Sequence, residues 1–101
     1  MMKDMYLRIW REKSVDANPY YPSSEGLHHC VRAAQALMAD ASAIISIERL
    51  AGGHRGSIQN DAEIDLSVRL LPGCSAGAYL CRAKDICQRF DVKLRCMQKE
   101  E

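Results

Sequence analysis

The sequence predicts an α+β domain of ferredoxin-like type, a two-layer sandwich in the order β-α-β-β-α-β. Three observations predict it. Apolar residues alternate with polar ones in four stretches, and recur every third or fourth position in two. Turn-forming residues separate these stretches. The chain has 101 residues, enough for one core, so residues 1–101 are expected to form a single domain.

The first strand is expected over 5–11, where Met5, Leu7 and Ile9 alternate with Tyr6, Arg8 and Trp10. Residues 12–23 are polar, hold Asn18-Pro19 and Pro22, and read as a loop. Ser23 and Ser24 are candidate caps for a helix over 24–40. Leu27, Cys30, Val31, Ala34, Leu37, Met38 and Ala41 would form its apolar stripe, with Glu25, Arg32 and Gln35 opposite. Residues 43–50 form an isoleucine-rich second strand, with Ile45 and Ile47 inward and Ser46 and Glu48 outward.

A glycine-rich connection, 51–60, contains Gly52-Gly53-His54-Arg55-Gly56. Over 62–70, Ala62, Ile64, Leu66, Val68 and Leu70 alternate with Glu63, Asp65, Ser67 and Arg69, the pattern of a strand with one buried and one wet face. Pro72-Gly73 ends that strand and Ser75 can cap a second helix, whose inner side would be Tyr79, Leu80, Ala83, Ile86, Cys87 and Phe90. A last strand over 91–97 would turn Val92, Leu94 and Cys96 inward and Lys93 and Arg95 outward. Four half-apolar strands and two striped helices are satisfied by both helices packing on one side of one sheet. Right-handed crossovers give the spatial order 4-1-3-2, with the second and fourth strands at the edges.

The net charge is +1 and the signs are mixed along the chain, which does not suit a nucleic-acid binder. RNA-recognition domains of this topology stack bases on aromatic residues of the two central strands and carry the consensus Lys/Arg-Gly-Phe-Gly-Phe-Val-x-Phe on the third. Here that strand reads Glu63-Ile64-Asp65-Leu66-Ser67-Val68-Arg69, two carboxylates and no ring. No apolar run reaches the roughly 18 residues that span a bilayer, so no membrane partner is expected. Five cysteines, without a C-x-x-C and without an apolar leader, point to reduced thiols and a cytoplasmic location. Buried structural thiols are the expectation for most of them. His28-His29-Cys30 is the one His/Cys cluster, and adjacent helical residues diverge by about 100°, so neither a metal nor another cofactor is expected.

No nucleophile–base constellation is visible, and no catalytic residue is assigned. His28 and His29 begin a helix, where solvent-facing polar roles are usual. His54 and Arg55 between glycines are the best candidates for holding a small anion. The second strand is an isoleucine-rich edge with no proline, and such edges are normally covered. Ile44, Ile45, Ser46, Ile47 and Glu48 are therefore candidates for a symmetric dimer interface, two copies pairing along 43–48 with the helix 24–40 beside them.

The run Gly52-Gly53, a short gap, Asn60-Asp61, the acidic-alternating strand through Asp65 to Arg69, and Pro72-Gly73 resembles a stretch of a known domain. So do Lys13-Ser14-Val15-Asp16-Ala17-Asn18-Pro19 and Gly26-Leu27-His28-His29 in the first third. The domain is the lid, or dimerisation, domain of the dinuclear-zinc metallopeptidases of the aminoacylase, acetylornithine deacetylase and carboxypeptidase G type. The resemblance implies a non-catalytic lid that dimerises, either excised from a hydrolase or free-standing. Such a chain would by itself lack the zinc ligands, which that family keeps in its catalytic domain. It also implies a substrate-side role for Arg69, which matches the family's strand-end arginine. Asp16 stands where the family has a loop histidine, and Gly56 or Ser57 where it has a glycine-loop asparagine. A reading from another class is a regulatory domain that binds an anion or amino acid at His54-Arg55 or on the Tyr6/Trp10 face.

Overall fold

The computed structural model describes residues 4–12, 25–52 and 60–97. The elements are β1 (Asp4–Glu12), α1 (Glu25–Met38), β2 (Ala43–Gly52), β3 (Asn60–Leu70), α2 (Ala76–Arg89) and β4 (Lys93–Met97). The strands form one antiparallel sheet in the order β2-β3-β1-β4, the order expected from the sequence. The fold is an α+β sandwich of ferredoxin-like type.

The core lies between the sheet and the helices. Leu7, Ile9, Ile64, Leu66 and Val68 supply the sheet side, and Cys30, Ala33, Ala34, Leu37, Tyr79, Ala83 and Cys87 the helix side. Ala33 and Ala34 are small enough to let α1 lie close on the strands. Each fully buried Leu, Ile or Val contributes on the order of 2 kcal/mol.

The turns follow from their residues. Cys74 N–H donates to the Leu71 carbonyl at 3.2 Å, and Gly73 takes φ +89°, a type II turn with Pro72 second and glycine third. Ser75 Oγ accepts from Ala78 N–H at 3.2 Å and caps α2. At the other end Val92 N–H donates to the Cys87 carbonyl and Asp91 N–H to the Gln88 carbonyl, with Asp91 at φ +57°. This is a Schellman closure, sealed by apolar contact at Val92 and Cys87.

Four expectations are corrected. α1 ends at Met38, so Ala41 belongs to the turn before β2, and Met38 is largely exposed rather than inside. The register slips between Ile47 and Arg49, so Glu48 is an extra residue in a β-bulge and Arg49, not Glu48, shares the open face with Ser46. Only Cys30 and Cys87 are buried; Cys74 is half-buried, and Cys81 and Cys96 are exposed. Cys96 pairs with Leu7 and thus takes the inward phase, but β4 is an edge strand and its end is left uncovered. Finally, His29 does not simply face water. Its Nδ1 lies 2.8 Å from the Phe90 carbonyl, a bond in which the ring nitrogen donates and ties α1 to the end of α2.

Among the described residues no helix is long and apolar enough to cross a membrane. None of their His, Cys, Asp and Glu side chains cluster in a way that could hold a metal ion.

Candidate functional site

Two surfaces stand out, the open face of the sheet and the edge along β2. On the open face Arg95, Arg8, Asp65 and Arg49 form one row across all four strands. Arg8 grips Asp65 with two bonds, Nε to Oδ1 at 2.7 Å and Nη2 to Oδ2 at 3.1 Å. Arg49 reaches the same carboxylate at 3.0 Å and also bonds Glu63. The bulge makes this possible, because it turns Arg49 onto the face where the carboxylates stand. The hydrogen bond from Arg8, followed by that from Arg49, holds the Asp65 carboxyl below the usual carboxylate range against the opposing effect of burial. Arg95 would meet Arg8 as a like charge, but its guanidinium lies over the Trp10 ring, 6.0 Å from the centroid. The charges on this face are thus matched among themselves.

The β2 edge is different. Met38, Ile44, Ile47 and Leu50 are 42%, 57%, 48% and 49% exposed, and all lie on β2 or at the adjoining end of α1. Ile44 and Ser46 look to the open face, while Ala43, Ile45 and Ile47 look to the helix side. The opposite edge, β4, is short and carries Lys93 and Arg95, which discourage strand addition. The apolar edge is therefore confined to one side of the molecule.

A cluster lies at the start of β2. Arg82 of α2 donates to Asp40 Oδ2 at 3.2 Å, to Ser42 Oγ at 2.6 Å and to Cys74 Sγ at 3.6 Å. The hydroxyl and backbone N–H of Ser42 hold the Asp40 carboxyl below its ordinary range, with Arg82 adding to the effect. A cleft of about 330 Å³ lies at the other end of the sheet, lined by Trp10, Lys84, Cys87, Gln88, Lys93 and Leu94 among others.

Of the residues singled out from the sequence, Arg69 stands exposed on the open face of β3. Its Nε donates to Asp4 at 3.0 Å. His54 and Arg55, like Asp16, Gly56 and Ser57, lie outside the described residues. Ile44 to Glu48 all lie on β2, but the bulge separates Glu48 from the others. Arg82 and Arg49 were missed. An arginine on a helix and one following a glutamate carry no local signal of where their heads will go.

No family model matches the chain, and no curated protein does. Among solved structures, the chain is similar to part of a hydantoinase/carbamoylase family amidase from Burkholderia ambifaria. The TM-score is 0.60 at 13% identity, over 98% of this chain and 28% of that one. It also matches a dinuclear metal-binding peptidase of the M20 family from Bacillus subtilis at a TM-score of 0.49 and 17% identity, over 93% of this chain and 24% of that one. At these identities the likeness is one of fold. The chain spans about a quarter of the length of the enzymes it matches.

Proposed function

We propose that the chain is a non-catalytic lid or dimerisation domain of the kind found in zinc-dependent aminoacylase and carboxypeptidase hydrolases. It would self-associate through residues 43–48 of β2 with α1 alongside. The observation that carries this reading is the exposed apolar edge: four large side chains beside a strand whose outer backbone groups have no neighbour among the described residues. Strand addition would satisfy those groups and bury the side chains together. The similarity of fold to a domain-sized part of an amidase supports the same reading. Sedimentation velocity tests it. The chain should run as a dimer at tens of micromolar, and Ile44→Lys or Ile47→Lys, both at exposed positions, should give folded monomers. A wild-type chain that stays monomeric at that concentration rules the reading out.

A second reading, a regulatory domain for an anion or amino acid, is favoured by the cleft at Trp10, where Lys84 supplies an ammonium group beside Lys93, which is paired with Glu12 at 2.8 Å. Trp10 is the one tryptophan in the sequence, so its fluorescence reports on that cleft directly. A saturable change with a carboxylate or phosphate series supports this reading, and a flat response across the series removes it.

A further inference from the structure

The cleft of about 330 Å³ at Trp10 lies where α2 meets the edge strand β4. β4 has five residues and no further strand beside it among the described residues, so this side of the sandwich stays open. Two of the lining residues, Cys87 and Val92, belong to the core, so the cleft reaches down to it. The Val92 N–H donates to the Cys87 carbonyl at 3.0 Å, and Lys93 and Leu94 stand opposite Trp10 and Ile9 in the β1–β4 register. Backbone hydrogen bonds thus fix these walls before any ligand arrives. Lys84 and Gln88, one turn apart on α2, present their heads on the same side of the helix.

We propose that this cleft binds a small monocarboxylate with an apolar body and no ammonium group. Its carboxylate would meet Lys84 and Gln88, and its body would lie on Val92 and Leu94. This rests on the regulatory reading above and names the ligand class that reading leaves open. The lining carries the choice. Trp10, Cys87, Val92 and Leu94 make most of it apolar, and none of the described residues that line it is acidic. Lys93 is held by Glu12, whereas Lys84 is exposed and makes no ion pair among the described residues. Arg95 adds a further cation at the same edge, its guanidinium over the Trp10 ring. Ligand clefts range from about 300 to 1,000 Å³, so this one suits a body of a single ring or one branched chain.

The same lining disfavours the neighbouring classes. A free amino acid would bring its ammonium group among Lys84, Lys93 and Arg95, and the nearby carboxylate of Glu12 is already engaged by Lys93. An ammonium group desolvated without an acceptor opposes binding. Phosphate would set its charge against a largely apolar wall with one unpaired ammonium group to receive it. An uncharged ligand of the same shape would leave the charge-assisted bond to Lys84 unmade.

The test uses the full chain and four probes: isocaproate, leucine (isocaproate with an added ammonium group), isocaproamide and acetate. None absorbs where Trp10 does, so Trp10 fluorescence follows each titration, and the amide NMR shifts of Val92, Lys93 and Leu94 give a second readout. Isocaproate should bind at least about tenfold more tightly than each of the other three. Lys84→Met, a change at an exposed position that keeps most of the stem, should weaken isocaproate about fivefold and leave isocaproamide unchanged. Lys84→Arg should restore the difference between the two. Thermal melts confirm that both variants fold. Leucine or acetate binding as tightly as isocaproate overturns the ligand class and leaves the regulatory reading standing. So does isocaproamide binding as tightly, or a Lys84→Met chain that binds isocaproate unchanged. No saturable response to any probe or to phosphate, by fluorescence or NMR, overturns both.

Discussion

Arg8 and Asp65 meet across the central strand pair as a two-pronged fork, 2.7 and 3.1 Å long, directly opposite one another in the β1–β3 register. The Asp65 side chain is largely shielded from water, and a second guanidinium, from Arg49, closes on it from the other side. One carboxylate thus links the central strand β1 to the edge strand β2 through β3.

Asp65→Ala should destabilise the fold by about 1–2 kcal/mol, since it leaves two guanidinium groups without their main acceptor. A double-mutant cycle with Arg8→Ala in urea should return a coupling of about 1 kcal/mol. The sign with pH follows from the lowered carboxyl. Its contribution is present above the unfolded carboxyl value of 3.8 and is lost as pH falls through the still lower folded value. Asp65→Asn should therefore flatten the acid limb of the stability curve.

Tyr79 is fully buried, and its hydroxyl has no hydrogen-bond partner among the described residues. An unsatisfied buried hydroxyl costs on the order of 1–3 kcal/mol. Tyr79→Phe keeps the ring and removes the cost, so it should hold or raise the melting temperature. A drop in stability of about 1 kcal/mol or more would show that the hydroxyl has a partner.

Alkaline pH should weaken the fold sooner than acid. Burial, with the neighbouring Cys30, pushes the Cys87 thiol from 9.0 up to about 12, and burial foremost pushes the Tyr79 phenol from 10.0 up to about 12. Both raised groups contribute fully below their unfolded values. As pH climbs past those values the unfolded chain releases protons that the folded chain keeps, and stability falls by about 1.4 kcal/mol per pH unit for each group. The fall should begin near pH 9 with Cys87 and steepen near pH 10 with Tyr79. Chemical denaturation at a series of pH values reads the slope. Tyr79→Phe should make it shallower only above about pH 10.

Two turn positions should respond in opposite directions. Gly73 sits at φ +89° with nothing within 4 Å of where a Cβ would stand, so Gly73→Ala should cost about 1 kcal/mol from backbone conformation alone. Asp91 sits at φ +57° at the end of α2, where glycine is preferred. Asp91→Gly should gain up to about 1 kcal/mol. It gives up the 3.4 Å pair between the exposed Asp91 carboxylate and the part-buried Arg11 guanidinium. Melting temperatures of the two variants check both signs.

The six elements and the two faces of each were legible in the sequence, because alternation and helical spacing are local properties. Handedness then allowed the strand order to be inferred. The alternation of Ile64, Leu66 and Val68 with Glu63, Asp65 and Ser67 is a clear instance, and all three apolar residues are buried. Capping by Ser75 and the turn at Pro72-Gly73 were legible for the same reason, since a cap or turn is settled within four residues.

Other features were decided only when distant segments met. Nothing in Ile47-Glu48-Arg49 marks a bulge. It exists because β2 must keep Ile45 and Leu50 on the helix side while Arg49 reaches Asp65 and Glu63, residues on another strand. Cys96 has the inward phase and still meets water, because its exposure depends on what covers the end of an edge strand. Arg82 looks like any helix-surface arginine until the turn before β2 brings Asp40 and Ser42 to it. By itself, then, the sequence determined which side of each element is apolar, since that is written in the spacing of neighbours along the chain. The tertiary structure alone decided which charges meet and which apolar residues stay uncovered, since those depend on register and edges.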